Sequence, residues 1–274
     1  MAAAAAPLLL PTPLPASTLS LGQLLADPLD PSSLSFTVSP AELPSSSTTH
    51  SKYRDVVSHD EQGRLLSSLS GQPLSSSSQN ILVLQADNMT TRSLKDSRSA
   101  FDSLRSSRSA RPFLLEAARR NQPLYYITAL QSLSNASFSR AAISPSHSDS
   151  SISDIFPIDP TPTKLELPIH FRRDSTMSIT STDSSSDAVF GLVARKVLCH
   201  VGPREEPHSL EDIGLDWTYH GVDGDDELQL SIGLGGVLGV RELRSLAGME
   251  WEEERVGSDV SYETEDEEDG LSGF

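Results

Sequence analysis

The sequence predicts an α+β fold: a mixed or antiparallel twisted sheet, short basic helices, and disordered segments at the N terminus and the acidic C terminus. Residues 81–84, Ile-Leu-Val-Leu, have no polar face and are typical of a strand inside a core. The arginine-rich stretch 99–120 has apolar residues at helical spacing. Serine runs at 75–78 and 184–186 have no apolar surface to bury and should stay solvated.

The composition favours one modest core, although 274 residues would suffice for two domains. Hydrophobic residues make up 36% of the chain and aromatic residues 5%, below the apolar share of a typical globular domain. We therefore predict three segments. Residues 1–50 are of low complexity and mostly disordered, residues 51–232 form the α+β core, and residues 233–274 hold a glycine-rich break, a short helix and an acidic disordered tail.

Cysteine usage and the N terminus predict a cytoplasmic protein. The single cysteine, Cys199, excludes an intrachain disulfide and favours a reducing compartment, where it would be a small buried residue of a strand. The first residues lack the basic start of a signal peptide, and prolines at 7, 11, 13 and 15 interrupt their apolar run. No run approaches the roughly 20 apolar residues of a membrane-spanning helix.

Local patterns predict the elements in order. Pro112 is badly placed inside a helix but suits a first turn, so the stretch 99–120 divides into two short helices. The predicted elements, apart from a hairpin treated below, are a helix at 21–25, a strand at 34–38, a strand pair at 53–57 and 80–90, helices at 99–109 and 112–120, strands at 124–133, 188–200, 216–222 and 227–234, and a helix at 240–255.

The two central helices are amphipathic, with an apolar inner face that includes Phe101, Leu104 and Leu114. A basic outer face opposite to it is predicted to interact with anionic groups. Its members, predicted to stay outside, are Arg105, Arg108, Arg111, Arg119 and Arg120.

The most regular alternation of the chain lies at 164–181 and predicts a two-faced β-hairpin, with Pro168 confining its first strand to an edge. One face is polar. The apolar residues of the other face are Leu165, Leu167, Ile169, Phe171, Met177 and Ile179. Two readings stay open: a hairpin packed by one face onto the core, or a membrane-inserting hairpin, since a membrane strand needs roughly 9–11 alternating residues.

Charge is unevenly distributed along the chain. Residues 222–274 hold sixteen acidic residues and three arginines, a net charge of −13, which leaves only −4 of the total of −17 for the other 221 residues. Residues 91–125 hold eight basic and three acidic residues, a net charge of +5. The basic middle and the acidic tail could attract each other, or both could simply be solvated.

The sequence shows no converging set of catalytic groups, so we predict no enzyme, no cofactor and no metal. The histidines at 200, 208 and 220 have no metal-ligand spacing with Cys199. The glycines at 233–239 lack the Lys-Ser/Thr of a phosphate-binding loop, and no G-x-S-x-G motif gives any serine a nucleophile's setting.

The basic helices suit either nucleic acid or an anionic membrane. The strongly negative whole chain and the lack of a recognisable nucleic-acid-binding fold argue against nucleic acid. On a membrane each basic residue near an anionic leaflet contributes about 1 kcal/mol. Strands inserted there must be paired by neighbouring copies, so this reading requires a homo-oligomer.

The stretch 112–128 resembles the gasdermins, a family of pore-forming proteins, in PFLLE at 112–116 and LYYIT at 124–128. The hairpin at 164–181 stands where the family has a membrane-inserting hairpin, and VFGLVARKV at 189–197 is similar to a later strand of the family. The resemblance covers about 81–200 and is nearest to the fungal type, with a short C-terminal inhibitory segment.

This resemblance implies a non-enzymatic protein that is cytoplasmic and autoinhibited until a protease removes its C-terminal segment. The released part would bind acidic lipids, associate with membranes, oligomerise and permeabilise them in regulated cell death. The alternative is a soluble regulatory protein that binds partners through its serine-rich and acidic segments.

Overall fold

The structure, a computed structural model, describes residues 5–37, 43–69, 80–143, 155–157, 163–164, 187–205, 215–222 and 225–249. Within these ranges the chain forms one sheet of thirteen strands, paired antiparallel, and three short helices, which confirms the predicted α+β class.

The sheet and helices have the following bounds. The strands are β1 (Leu8–Pro15), β2 (Leu24–Leu25), β3 (Ser35–Phe36), β4 (Ser45–His59), β5 (Leu65–Ser68), β6 (Ile81–Leu94), β7 (Leu124–Ser134), β8 (Ser137–Ile143), β9 (Ile155–Pro157), β10 (Thr163–Lys164), β11 (Asp187–Pro203), β12 (Asp216–Val222) and β13 (Asp225–Val237). The helices are α1 (Ser97–Ser106), α2 (Arg111–Arg119) and α3 (Val240–Leu246).

Two long strands organise the sheet, because each has two neighbours along one edge. The main path runs β10-β8-β6-β7-β11-β13-β12. Strand β6 pairs with β4 on one edge and with β7 and β8 in succession on the other. Strand β11 pairs with β7 on one edge and with β1 and β13 on the other.

Two short helices link β6 to β7, as the sequence predicted. The Asp96 carboxylate caps α1 by accepting hydrogen bonds from the backbone N–H groups of Arg98 and Ser99, at 3.1 and 2.9 Å. Pro112 lies in the first turn of α2, where its missing N–H costs no helical hydrogen bond. The proline therefore suits the start of the second helix.

The helices pack on one face of the sheet. Phe101 of α1 meets Tyr126 of β7 edge-on, with ring centroids 5.1 Å apart, and both side chains are fully buried. Leu114 and Ala117 of α2 are buried in the same cluster. A smaller second cluster lies around Phe138 of β8 and Phe190 of β11.

Residues 5–37 belong to the sheet and its core, which corrects the predicted boundary of the core at residue 50. Leu10, Leu24 and Leu25 are fully buried. The helix predicted at 21–25 is wrong, because Leu24 pairs with Tyr126 of β7 as part of strand β2. Among the described residues, strand β1 pairs with β11 alone and through an irregular register, so its prolines interrupt few ladder hydrogen bonds there.

Residues 233–237 lie inside strand β13, so the glycine-rich break predicted from residue 233 is also wrong. A Cβ at Gly233 would stand 2.9 Å from the ring of Trp217, and one at Gly235 would stand 3.3 Å from Lys196. The sequence has glycine there because neighbouring side chains lie directly on the strand. The short helix predicted after this strand is confirmed as α3; residues 250–255 of the predicted helix lie outside the described residues.

The predicted hairpin falls almost entirely outside the described residues. Only its first residue is described, in β10, whose Thr163 and Lys164 pair with Phe138 and Ser137 of β8. The apolar residues predicted for the hairpin, from Leu165 to Ile179, are not among the described ones, and the hairpin stays a prediction.

Candidate functional site

Four arginines are exposed on α2 and on the residues just before and after it. Arg108, Arg111, Arg119 and Arg120 are all exposed, as predicted. We call these four residues the arginine surface. Arg120 forms an ion pair with Glu116, with 2.8 Å between Nη2 and Oε1. Among the ion pairs of the described residues, none involves any of the other three.

The fifth predicted arginine, Arg105, is not part of this surface, and its predicted exposure is wrong. The residue is 7% exposed, and its guanidinium lies over the ring of Phe101, with Cζ 5.6 Å from the ring centroid. Its Nη2 forms an ion pair of 2.6 Å with Asp102, and its Nη1 donates a 2.9 Å hydrogen bond to the carbonyl oxygen of Asp216. Arg105 follows Phe101 by four residues, so the two lie on the same face of the helix, and this spacing could have indicated that Arg105 is buried.

Asp216 of strand β12 provides a negative charge that pairs with two arginines of α1. The Asp216 carboxylate lies 3.0 Å from Nη2 of Arg98 and 3.6 Å from Nη2 of Arg105. Two residues of α1 therefore hold the edge strand against the helices. Burial lowers the pKa of His220 on the same strand, and the charges of Arg111 and Arg105 lower it further. The positive potential of the helices thus extends across β12.

The C-terminal part of the described chain forms a second feature, which we call the C-terminal clamp and define as residues 240–249. Two reciprocal hydrogen bonds join it to strand β5 and the turn before it. Arg64 Nη1 donates to the carbonyl oxygen of Ala247 at 3.1 Å, and Arg244 Nη2 donates to that of Leu66 at 3.0 Å. Leu243 and Met249 of the clamp are buried. The clamp is therefore packed onto the fold by both apolar and polar contacts.

An ion pair joins the clamp to the centre of the sheet. Glu242 of α3 pairs with Lys196 of β11 and accepts a 3.1 Å hydrogen bond from the backbone N–H of Gly239. Burial alone would raise the pKa of Glu242, but these hydrogen bonds and the charge of Lys196 lower it below its ordinary value. The carboxylate therefore stays charged and capped to the start of α3 at neutral pH.

The clamp and the α1–α2 helices lie on opposite faces of the sheet. Tyr125 is opposite Lys196 across the β7–β11 ladder, and Tyr126 is opposite Arg195. Successive side chains of a strand point to opposite faces. Lys196 meets Glu242 of the clamp, whereas Tyr126 meets the helix residue Phe101. The sheet therefore separates the arginine surface from the clamp.

Cys199 is buried, and burial raises the pKa of its thiol to about 12, so it is a poor nucleophile. No group of three His, Cys, Asp or Glu side chains in the described ranges is placed to hold a metal ion. Within the same ranges, none of the helices has the length and apolar character needed to cross a membrane.

Comparisons with known proteins found weak structural similarity to solved structures. No protein-family model matches the chain, and no curated protein matches its sequence. Among solved structures, the chain is similar to a bacterial gasdermin from Bradyrhizobium tropiciagri, with a TM-score of 0.27 and 14% sequence identity over 70% of this chain and 82% of that one. A likeness at this TM-score does not establish a common fold.

Proposed function

We propose that the chain is a non-enzymatic pore-forming protein that its C-terminal segment holds inactive. An activating protease removes this segment, and the released part binds acidic lipids, forms homo-oligomers and permeabilises membranes in regulated cell death. The protein is cytoplasmic before cleavage and membrane-associated after it. The observation that carries the proposal is the C-terminal clamp. This short element contacts both strand β5 and Lys196 of the central strand β11, and one cut in the chain before it would release it.

The clamp is suited to release because it is a single short helix with the turn that follows it. Its contacts with the rest of the fold include the bonds of Arg64, Arg244 and Glu242 described above and the buried side chains of Leu243 and Met249. Each exposed or half-exposed polar contact contributes about 0.5–1.5 kcal/mol. A covalently attached clamp rebinds at once, whereas a cut one is diluted into solution and loses that advantage.

The arginine surface supports lipid binding. Each basic residue near an anionic leaflet contributes about 1 kcal/mol, so four give about 4 kcal/mol, or about a thousandfold in affinity. Arg108, Arg111 and Arg119 have no carboxylate partner in the described ion pairs, so little has to be broken before they meet lipid phosphates. Arg120 would exchange Glu116 for a phosphate.

Long strands support the insertion step. Strands β4, β6 and β11 have 15, 14 and 17 residues, each longer than the roughly 9–11 residues that cross a membrane. The alternating segment 164–181 would extend the connection between β8 and β11. In hydrocarbon every strand edge must be paired, so insertion requires neighbouring copies that close a ring.

A vesicle leakage assay tests the proposal. A protease site is inserted after Gly239 of the full chain, so that the protein folds with its clamp in place and is cut in the presence of vesicles. We expect dye release from vesicles containing cardiolipin or phosphatidylserine only after cutting, and none from neutral vesicles. A matched insertion that the protease cannot cut should stay inert. If the cut protein is equally inert on all anionic vesicles, the pore-forming function is wrong.

A regulatory, partner-binding protein is the second candidate. The observation that favours it is the composition of residues 250–274, which hold eleven acidic residues and one arginine. Such segments commonly bind basic partners. Inertness in the leakage assay would leave this candidate as the better one.

A further inference from the structure

We propose that the acidic residues 250–274 dock on the arginine surface of the resting protein, across the sheet from the C-terminal clamp. The regulatory role of this docking rests on the proposed function, because the tail would occupy the arginines that would otherwise bind lipid phosphates. The docking itself is a property of the chain in solution and is testable without a membrane.

The arginine surface has uncompensated charge because nearby carboxylates are already used. Asp96 caps α1, Asp102 pairs with Arg105, and Glu116 pairs with Arg120. Asp216 of β12 is occupied by Arg98 and Arg105. Three of the four arginines of the surface therefore form no ion pair with a carboxylate of the described residues.

Exposed basic residues are concentrated around these helices. Of the eleven exposed lysines and arginines in the described ranges, seven lie between residues 92 and 120. The other four are scattered, at Lys52 and Arg54 of β4, Arg204 after β11 and Arg241 of α3. A segment with many negative charges gains most where several positive charges lie together, because each further contact then forms at high effective concentration.

The tail has the matching charge. Residues 250–274 carry a net charge of −10, from eleven acidic residues against Arg255. The densest part is 263–269, where only Thr264 interrupts a run of six carboxylates. Carboxylates are good partners for guanidinium groups, which they bind through paired hydrogen bonds.

The tail is also long enough to reach the helices from the other face. It leaves the clamp after Met249, which is buried against the fold. Twenty-five extended residues span about 80 Å, and a compact chain of this size has a radius of gyration of only about 18 Å. Passing round the edge of the sheet therefore leaves many residues to spare.

Carbodiimide coupling provides a direct test, because it joins carboxylates to lysine amines and leaves arginine unmodified. Three full-length variants, Arg108→Lys, Arg111→Lys and Arg119→Lys, keep the charge and place a reactive amine on the arginine surface. Arg54→Lys places the same amine on β4, and the native Lys52 beside it is an internal reference. Coupled tail peptides are quantified by mass spectrometry from the monomer band, and circular dichroism checks the fold of each variant.

We expect the new amine of each surface variant (R108K, R111K and R119K) to couple to tail peptides at a yield about fivefold or more above that of the new amine in R54K or of native Lys52. About 0.5 M NaCl, where the screening length falls to about 4 Å, should remove the difference. Equal coupling on β4 and on the arginine surface would overturn the inference, and so would coupling that salt leaves unchanged.

The result is separable from that of the leakage assay. Cleavage-dependent leakage together with unselective coupling would retain the proposed function and assign inhibition to the clamp alone. Selective coupling together with inert vesicles would retain the docking and reject the pore.

Discussion

Arg105 and Asp216 join the first helix to the edge strand β12, through a 2.9 Å hydrogen bond from Arg105 Nη1 to the backbone carbonyl oxygen of Asp216. The bond links residues 111 positions apart in sequence. It divides the arginines around α1 and α2 into two kinds. Arg105 is buried and paired within the fold, while Arg108, Arg111, Arg119 and Arg120 are exposed among the described residues.

Stability measurements should distinguish these two kinds. Arg105→Ala removes the bond to Asp216, the ion pair with Asp102 and the contact with Phe101, and we expect it to lower the free energy of unfolding by about 2–4 kcal/mol. Arg108→Ala, at an exposed position, should change it by less than about 0.5 kcal/mol. Urea unfolding measures both. Equal effects would show that Arg105 is not a structural residue.

Lipid binding should depend on the exposed arginines only. We expect the triple variant Arg108→Glu, Arg111→Glu and Arg119→Glu, in the chain cut after Gly239, to lose about a hundredfold or more in affinity for anionic vesicles, since three favourable charges become unfavourable. Vesicle co-sedimentation measures this.

The matched control for lipid binding reverses the same number of basic charges elsewhere. Lys52 and Arg54 of β4 and Arg204 after β11 are exposed and lie away from α1 and α2 in the sequence. Their replacement by glutamate should reduce affinity by a much smaller factor. If the control variant loses as much affinity as the helix variant, net charge and not the arginine surface governs binding.

Two glycines of β13 should differ sharply in their tolerance of a methyl group. A Cβ at Gly233 would stand 2.9 Å from Trp217, whereas a Cβ at Gly236 has no neighbour within 4 Å. Gly233→Ala should therefore lower the free energy of unfolding by about 1–3 kcal/mol, and Gly236→Ala should be close to neutral. Thermal unfolding followed by circular dichroism measures both. A neutral Gly233→Ala would mean that Trp217 moves freely.

Strand β13 also shows which features could not be predicted from the sequence. The helix division at Pro112 and the core strand at 81–84 depend on local patterns, and both were predicted. Gly233 and Gly235 lie in a strand beside Trp217 and Lys196, and these contacts between distant segments are not contained in any local pattern.

The N-terminal leucines were missed for a related reason. Leu10 and Leu24 stand among prolines and serines, a composition typical of solvated chain. They are buried because β11 and β7 offer them an edge and an apolar cluster. The segment that pairs with these strand edges is determined by the tertiary structure and not by its local composition. The exposure of the arginine surface was largely predictable, since exposed residues follow helical periodicity. The prediction that Arg105 is exposed was wrong because an inward position can hold a charged residue whose charge is paired.

Stability should depend on pH through His220. Burial, then Arg111 and Arg105, lower its pKa below 6.5. The folded protein therefore binds fewer protons here than the unfolded chain between the two pKa values. The stability of the fold is full above about pH 6.5 and falls as pH drops towards the folded pKa, because the unfolded chain takes up the proton first.

Urea unfolding of the wild type and of His220→Gln at about pH 7.5 and about pH 5.5 measures this effect. The wild type should lose more stability between the two values than the variant does. Asp60 and Glu242 have lowered pKa values and titrate at more acidic pH, so they contribute little in this window. Identical losses in both proteins would exclude His220 as the source.

The clamp should open locally when its bond to β5 is removed. Arg244→Met keeps the apolar stem of the side chain but removes the donor to the carbonyl oxygen of Leu66. Because α3 has only seven residues, it depends on such tertiary contacts for its stability. We expect amide hydrogen exchange in 240–247 to become about tenfold faster, the equivalent of about 1.4 kcal/mol, while the amides of β6 keep their protection. Ser245→Ala, an exposed position of the same helix, is the matched control and should leave exchange unchanged. Exchange that rises equally in α3 and β6 would mean that Arg244 supports the whole fold, and the clamp would then not be a separable element that a protease can release.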